Sequence, residues 1–265
     1  MTAPVVLNFD NLGEASELEH GRWPAERPLG AHPSVTDALP RLLELLDELD
    51  LHATFFVEAI NTQAYPDAID AIAARGHEIG FHGWRHERWA DLEPDREVEL
   101  VARSFAAYAD RGIIVRAFRP PGGGLTAQTL ELLAAQGATW CSPEGTRAGR
   151  LEPTGLIALP FRWPLVDATY LHEPFDALRD RLGLPPAGLS ADATQAALTR
   201  ELADEPDPLA RTLTLHAFLM ADPVSGALHE RLLRGLAEGP DRVIPGGVRA
   251  DELRADASTP VAVLA

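Results

Sequence analysis

Strand-like and helix-like segments alternate along nearly the whole chain, roughly seven times, with short connections between them. Residues 5–9, Val-Val-Leu-Asn-Phe, form an apolar run that ends in Asp10-Asn11 and read as a buried strand and turn. Residues 34–49 carry leucines at 39, 42, 43, 45, 46 and 49, a wide helical stripe behind a capping candidate at Ser34. Strands are expected at 52–57, 77–81, 113–118, 138–141, 155–160, 212–216 and 242–244. Helices are expected at 66–75, 94–110, 126–135 and 227–237, three of them followed closely by glycine at 76, 112 and 137. Residues 174–204 are helical but less regular.

This alternation implies a parallel sheet with right-handed crossovers. With 265 residues the chain is too short for two doubly wound domains. The expected fold is therefore α/β, a distorted (β/α) barrel of about seven parallel strands, as one domain over residues 1–265. In such a barrel the chemistry sits at the C-terminal ends of the strands.

Composition removes several function classes. Acidic residues number 40 against 23 basic ones, a net charge of −17. Nucleic acid and anionic membranes, which attract basic patches, are therefore not expected partners. Every basic residue is Arg and none is Lys, as a GC-rich coding sequence would give. The one cysteine, Cys141, allows neither an internal disulfide nor a Cys-rich zinc module. No apolar run approaches the ~20 residues of a membrane span. The start Met1-Thr-Ala-Pro4 has no basic leader, so a cytoplasmic location is expected. The sequence does not indicate an oligomeric state.

The residues that follow the strands are unusually reactive. Asp10, Asn11 and Glu14 follow the first; His82, Trp84 and His86 the third; Arg119-Pro-Pro-Gly-Gly-Gly124 the fourth. Ser142 and Glu144 follow the fifth, Asp167 lies near the sixth and His216 ends the seventh. The spacing of His82 and His86 would put both imidazoles on one face of a helical turn, able to share a metal. Each feature also has a plainer reading. Asx pairs make turns, Pro and Gly make loops, and a histidine among apolar residues is commonly a satisfied core residue. Trp84 and Trp89 suit a sugar-stacking wall or core packing equally well.

Taken together, Asn8-Phe-Asp10-Asn11, Ala53-Thr-Phe-Phe-Val57, Gly76-His-Glu-Ile-Gly-Phe-His82-Gly-Trp-Arg-His86, Phe118-Arg119-Pro-Pro-Gly122 and Leu213-Thr-Leu-His216 resemble the polysaccharide deacetylase superfamily. The resemblance implies a distorted (β/α) barrel and metal-assisted hydrolysis of an N-acyl amino sugar. It implies Asp10 as general base, His216 as general acid and Arg119 as the group that orients the base. Asp167 matches more loosely an orienter of His216. A divalent metal, most often zinc, would be held by Asn11, His82 and His86. Glu14, Trp84, Pro121, Gly122 and Ser142 are the candidates for substrate contact. The expected partner is a small-molecule or oligosaccharide amide.

Asn11 stands where most of that family has an Asp ligand, so metal binding should weaken. The segment Asn8-Phe-Asp-Asn-Leu-Gly13-Glu14, followed by His20-Gly21, also resembles the allantoinase-like branch. That branch hydrolyses cyclic amides and ureides and is compatible with a metal-free mechanism. The remaining histidines carry no expected role. His52 and His77 precede strands, His32 and His172 lie in loops, and His229 is expected on the solvated face of a helix. Only His20, on a long loop, is expected to reach over the site.

Overall fold

A computed structural model describes residues 2–263. Nine strands form one curled sheet: β1 (Val5–Asp10), β2 (Thr54–Val57), β3 (Glu78–Phe81), β4 (Ala117–Phe118), β5 (Trp140–Cys141), β6 (Gly149–Leu151), β7 (Leu156–Ala158), β8 (Arg211–His216) and β9 (Val243–Ile244). Their order is β6-β7-β5-β4-β3-β2-β1-β8, and β9 pairs with the start of β1. Every pairing is parallel except β6 against β7.

The sheet is therefore a half-barrel rather than a closed one. β7 and β8 are not paired with each other, and only a single bridge, Val166 to Thr214, reaches β8 from the segment between them. The α/β barrel class expected from the alternation is correct. The antiparallel edge strand β6 has no counterpart in the sequence reading, because Gly-Arg-Leu is too short to show a period of two. Likewise β4 is two residues long instead of six: 113–115 lie outside the strand, and Arg116 contributes only its carbonyl, which accepts from the Thr139 and Trp140 amides.

Alternation along the strands sorts two cores. Leu7, Phe9, Phe55, Val57, Phe81, Phe118, Leu213 and Leu215 face outward and pack under the helices. Val6, Phe56, Ala117, Trp140, Ile157 and Leu159 face inward and fill the curl. Gly80 is needed here: a Cβ would lie 2.5 Å from the Phe56 ring. The lower end is closed by the helix Gly246–Ala255, whose Ala250 and Leu253 join the inner cluster. Glu78 ties it in place, accepting from the Gly247 amide at 2.7 Å and the Trp140 indole at 3.0 Å. Continuing each inward series to the open upper end leads to Asp10, His82, Arg119, Ser142, Phe161 and His216. Among the described residues no helix is long and apolar enough to cross a membrane.

Candidate active site

At that upper end lies a cavity of about 470 Å3. Asp10, Asn11, His82, His86, Arg119 and His216 all line it. Asp10 and His216 are direct neighbours, paired across β1 and β8.

Arg119 is almost wholly buried and organises the floor. Its Nη1 donates to Asp10 Oδ1 at 2.7 Å and to Thr214 Oγ1 at 2.9 Å, and its Nη2 to Ser142 Oγ at 2.9 Å. The guanidinium carbon lies 4.4 Å from the Phe56 ring centroid and 5.3 Å from that of Phe161. Planar contacts of this kind suit Arg and not Lys. Burial raises the Asp10 carboxyl above its usual range, against the pull of Arg119 and His216. Desolvation outweighs the ion pair here.

The imidazoles occupy two sides. Burial lowers His216, but the charge and hydrogen bond of Asp167 outweigh it and the net shift is upward. Asp167 Oδ1 accepts from His216 Nδ1 at 2.6 Å, which leaves Nε2 toward the cavity. On the opposite side His82 Nδ1 donates to the Arg119 carbonyl at 2.8 Å, so its Nε2 keeps a free lone pair. Burial pushes His82 down to about 3 and His86 well below its ordinary value, so both rings are neutral at pH 7.

The His82–His86 pair is not on a helical turn. The chain follows an irregular loop with φ of +79° at Gly83 and +73° at His86. Glu87 Oε2 holds that loop by accepting from the amides of Trp84 at 2.9 Å and Arg85 at 3.0 Å. The rings end 4.9 Å apart, centroid to centroid. Asn11, also in the left-handed region at φ +60°, presents a buried Oδ1 with no protein partner.

Among the described residues no group of three or more His, Cys, Asp and Glu side chains could hold a metal. The donors that line the cavity here are His82 Nε2, the His86 ring and the orphaned amide oxygen of Asn11. All three are neutral, and neutral imidazoles are the form a metal requires.

The candidates for substrate contact divide. Pro121 and Gly122 line the cavity. Ser142 is fully buried and serves Arg119. Glu14 is buried beneath the loop, accepting from Tyr65 Oη and from the Gly30 amide at 2.8 Å. Trp84 turns away and packs under the Arg103 guanidinium at 3.7 Å, so it is no wall of this cavity. The aromatic wall comes from Phe161, Trp163, Phe175 and Phe218, which no sequence motif marked. His20 reaches the rim as expected, 6.1 Å from His86. His32 and His172, assigned only to loops, also line the cavity.

The sequence reading misplaced His229. It is not solvated: the residue is completely buried and its Nε2 lies 2.6 Å from Asp167 Oδ2. Thr214 was missed too, although it shares the inward face of β8 with His216 and the period of two would have found it.

Comparison with known proteins gives a consistent picture. A family model for polysaccharide deacetylase matches residues 5–141. Chitin deacetylase 1 of Saccharomyces cerevisiae is 36% identical over 101 residues, 38% of this chain and 34% of that protein. A peptidoglycan-N-acetylglucosamine deacetylase of Bacillus cereus is 29% identical over 103 residues, 37% and 36% respectively. The chain thus spans about a third of the length of these curated relatives. A provisionally named polysaccharide deacetylase from Mycobacterium smegmatis superposes with a TM-score of 0.82 at 27% identity, covering 100% of this chain and 94% of that one. An allantoinase shares the fold, with a TM-score of 0.73 at 18% identity over 97% and 92%. The family match covers just over half of the chain, from β1 through β5 and including Asp10, His82, His86 and Arg119, and the protein belongs to the polysaccharide deacetylase family.

Proposed function

We propose that the protein hydrolyses the C–N bond of an amide, acting as an N-deacylase on a small substrate containing an amino sugar. The observation that carries this reading is the pairing of Asp10 and His216 on adjacent strands, one carboxylate and one imidazole facing a single cavity. Asp10 Oδ1 is occupied by Arg119, and Oδ2 has no hydrogen-bond partner among the described residues. That oxygen takes a proton from water as the water oxygen attacks the acyl carbon. His216 Nε2 gives a proton to the departing nitrogen as the C–N bond breaks. The products are a carboxylic acid and an amine; Asp10 then gives up the proton it took and His216 regains one from solvent, which restores the site.

Asn11, His82 and His86 would hold a divalent cation such as zinc. When bound it would polarise the acyl carbonyl and stabilise the developing oxyanion. The set carries no charge of its own, so replacing Asn11 by Asp adds one negative charge at the site. Calorimetric titration with Zn2+ should show affinity rising roughly tenfold or more in Asn11→Asp. Unchanged affinity would remove Asn11 from the ligand set.

The cavity supports a small substrate over a long polymer. It is bounded by the short helix Ala15–Glu19 and the turn after it, with Ser16, Glu17, His20 and Arg22, on one side and by Trp163, His172 and Phe175 on the other. Its volume falls in the range of a small-molecule pocket. This enclosure, with the neutral Asn11, also supports a second reading: hydrolysis of a cyclic amide or ureide. A panel of N-acetylglucosamine, its short oligomers, hydantoins, imides and allantoin separates the two. Release of acetate from the sugars supports the first reading, and ring opening supports the second. No turnover in either group, with or without added metal, contradicts both.

A further inference from the structure

Asp167 has two histidine partners, and the mechanism above uses only one. Four nitrogen atoms lie within hydrogen-bond distance of its two oxygens. Oδ1 accepts from His216 Nδ1 at 2.6 Å and from the Ala168 amide at 2.6 Å. Oδ2 accepts from the His216 amide at 2.8 Å and faces His229 Nε2 at 2.6 Å. His229 comes from a different element, the helix Pro223–Glu238, and both Asp167 and His229 are completely buried.

The ring of His229 is caught between two acceptors. Its Nδ1 lies 2.6 Å from the Ser225 carbonyl, which cannot donate, so Nδ1 carries a proton. Its Nε2 faces a carboxylate whose other three contacts are donors. Those donors stabilise the ionised carboxylate, so the second proton also resides on the ring. A neutral imidazole would leave one of these two short contacts between bare acceptors.

We infer that His229 is a buried imidazolium that neutralises Asp167 and thereby limits how tightly His216 holds the proton it must deliver. An Asp167 carboxylate without a second cation would grip the His216 proton with its whole charge. Balanced by His229, it still orients the His216 ring but binds that proton less strongly. His229 is thus a positioning residue that adjusts acidity through Asp167. Other groups also face His216: Asp10 and Arg119 on the floor, with His82, His86 and His172 across the cavity. None of them touches Asp167, so the effect of His229 is separable from theirs.

This inference rests on the reading of His216 as the general acid, and the test has one arm independent of it. In His229→Gln the amide still donates to Asp167 but the charge is gone. The alkaline limb of kcat/KM should move upward by about one pH unit or more, and kcat at pH 7 should fall on the order of threefold. A lower kcat with the limb in place would mean that His229 only packs, and would overturn the inference while leaving the hydrolase reading intact. Should the variant not fold, the wild-type chain decides. Two-bond 15N–1H spectra of 15N-histidine-labelled protein at pH 7.5 should show both ring nitrogens of His229 protonated. One bare nitrogen on that ring would overturn the inference whether or not a substrate has been found.

Discussion

Asp10→Asn should lower kcat by about a thousandfold while changing KM little. The substitution keeps shape and volume, and the Asn carbonyl oxygen can still accept from Arg119 Nη1. What it removes is the carboxylate that takes a proton from water. Asp10 is buried, and desolvation raises its proton affinity above that of an ordinary carboxylate. A stronger base suits the task, since proton transfer improves as the base approaches the working pH. Steady-state kinetics on whichever amide the panel identifies, with circular dichroism to verify folding, measures the effect. A loss below tenfold would remove Asp10 from the role of base.

Arg119→Met should be the most destabilising single change at the site and should also abolish activity. Met fills much of the same volume between Phe56 and Phe161 but carries no charge. Asp10 would then remain buried with its counter-charge gone, and the Ser142 and Thr214 hydroxyls would lose their donor. Breaking one side of a buried ion pair costs about 3–5 kcal/mol. For a chain of this size that corresponds to a fall in Tm on the order of 10 °C. The double variant Asp10→Asn with Arg119→Met should recover part of the lost stability, because no buried charge is left unpaired. Thermal unfolding of the two single variants and the double variant checks this. Equal additive losses would mean that Arg119 acts by packing and not by charge.

Much of this site was legible because strand-like and helix-like segments alternate along the chain. Asp10, His82, Arg119 and His216 follow apolar strands, and the barrel rule places strand ends at one face. The curl of the sheet and eight of its nine strands followed from the same pattern. What stayed hidden depends on contacts between distant elements. His229 sits on a helix with an unremarkable local sequence, and only the docking of that helix behind Asp167 makes it part of the site. Trp84 lies between two cavity residues in sequence, yet the left-handed backbone at Gly83 and His86 directs it outward. Glu14, adjacent to the Asp10-Asn11 turn, is drawn down by Tyr65, whose ring also leaves no room for a Cβ at Gly13. The aromatic wall arises from short turns within 161–175 and from the four-residue helix Ala217–Met220, elements too short for a period to show. Cys141 behaved as expected, buried as a small apolar residue with its thiol pushed up to about 12.

The charge imbalance takes on a different meaning at the site itself. The chain carries a net charge of −17, yet the cavity gathers Arg22, Arg88, Arg119 and six histidines against Asp10 and Glu17. The acidic excess therefore lies outside the cavity.

The central claim is that Asp10 as base and His216 as acid act in one step, and the pH dependence of kcat/KM tests it most directly. Below the raised pKa of Asp10 the carboxyl is protonated and activity should be lost. Above the raised pKa of His216 the imidazole is neutral, and activity should be lost again. The account predicts a bell-shaped profile whose descending limb lies above 6.5, the ordinary histidine value. A profile that rises to a plateau and never falls would show that no protonated imidazole is needed, and would contradict it.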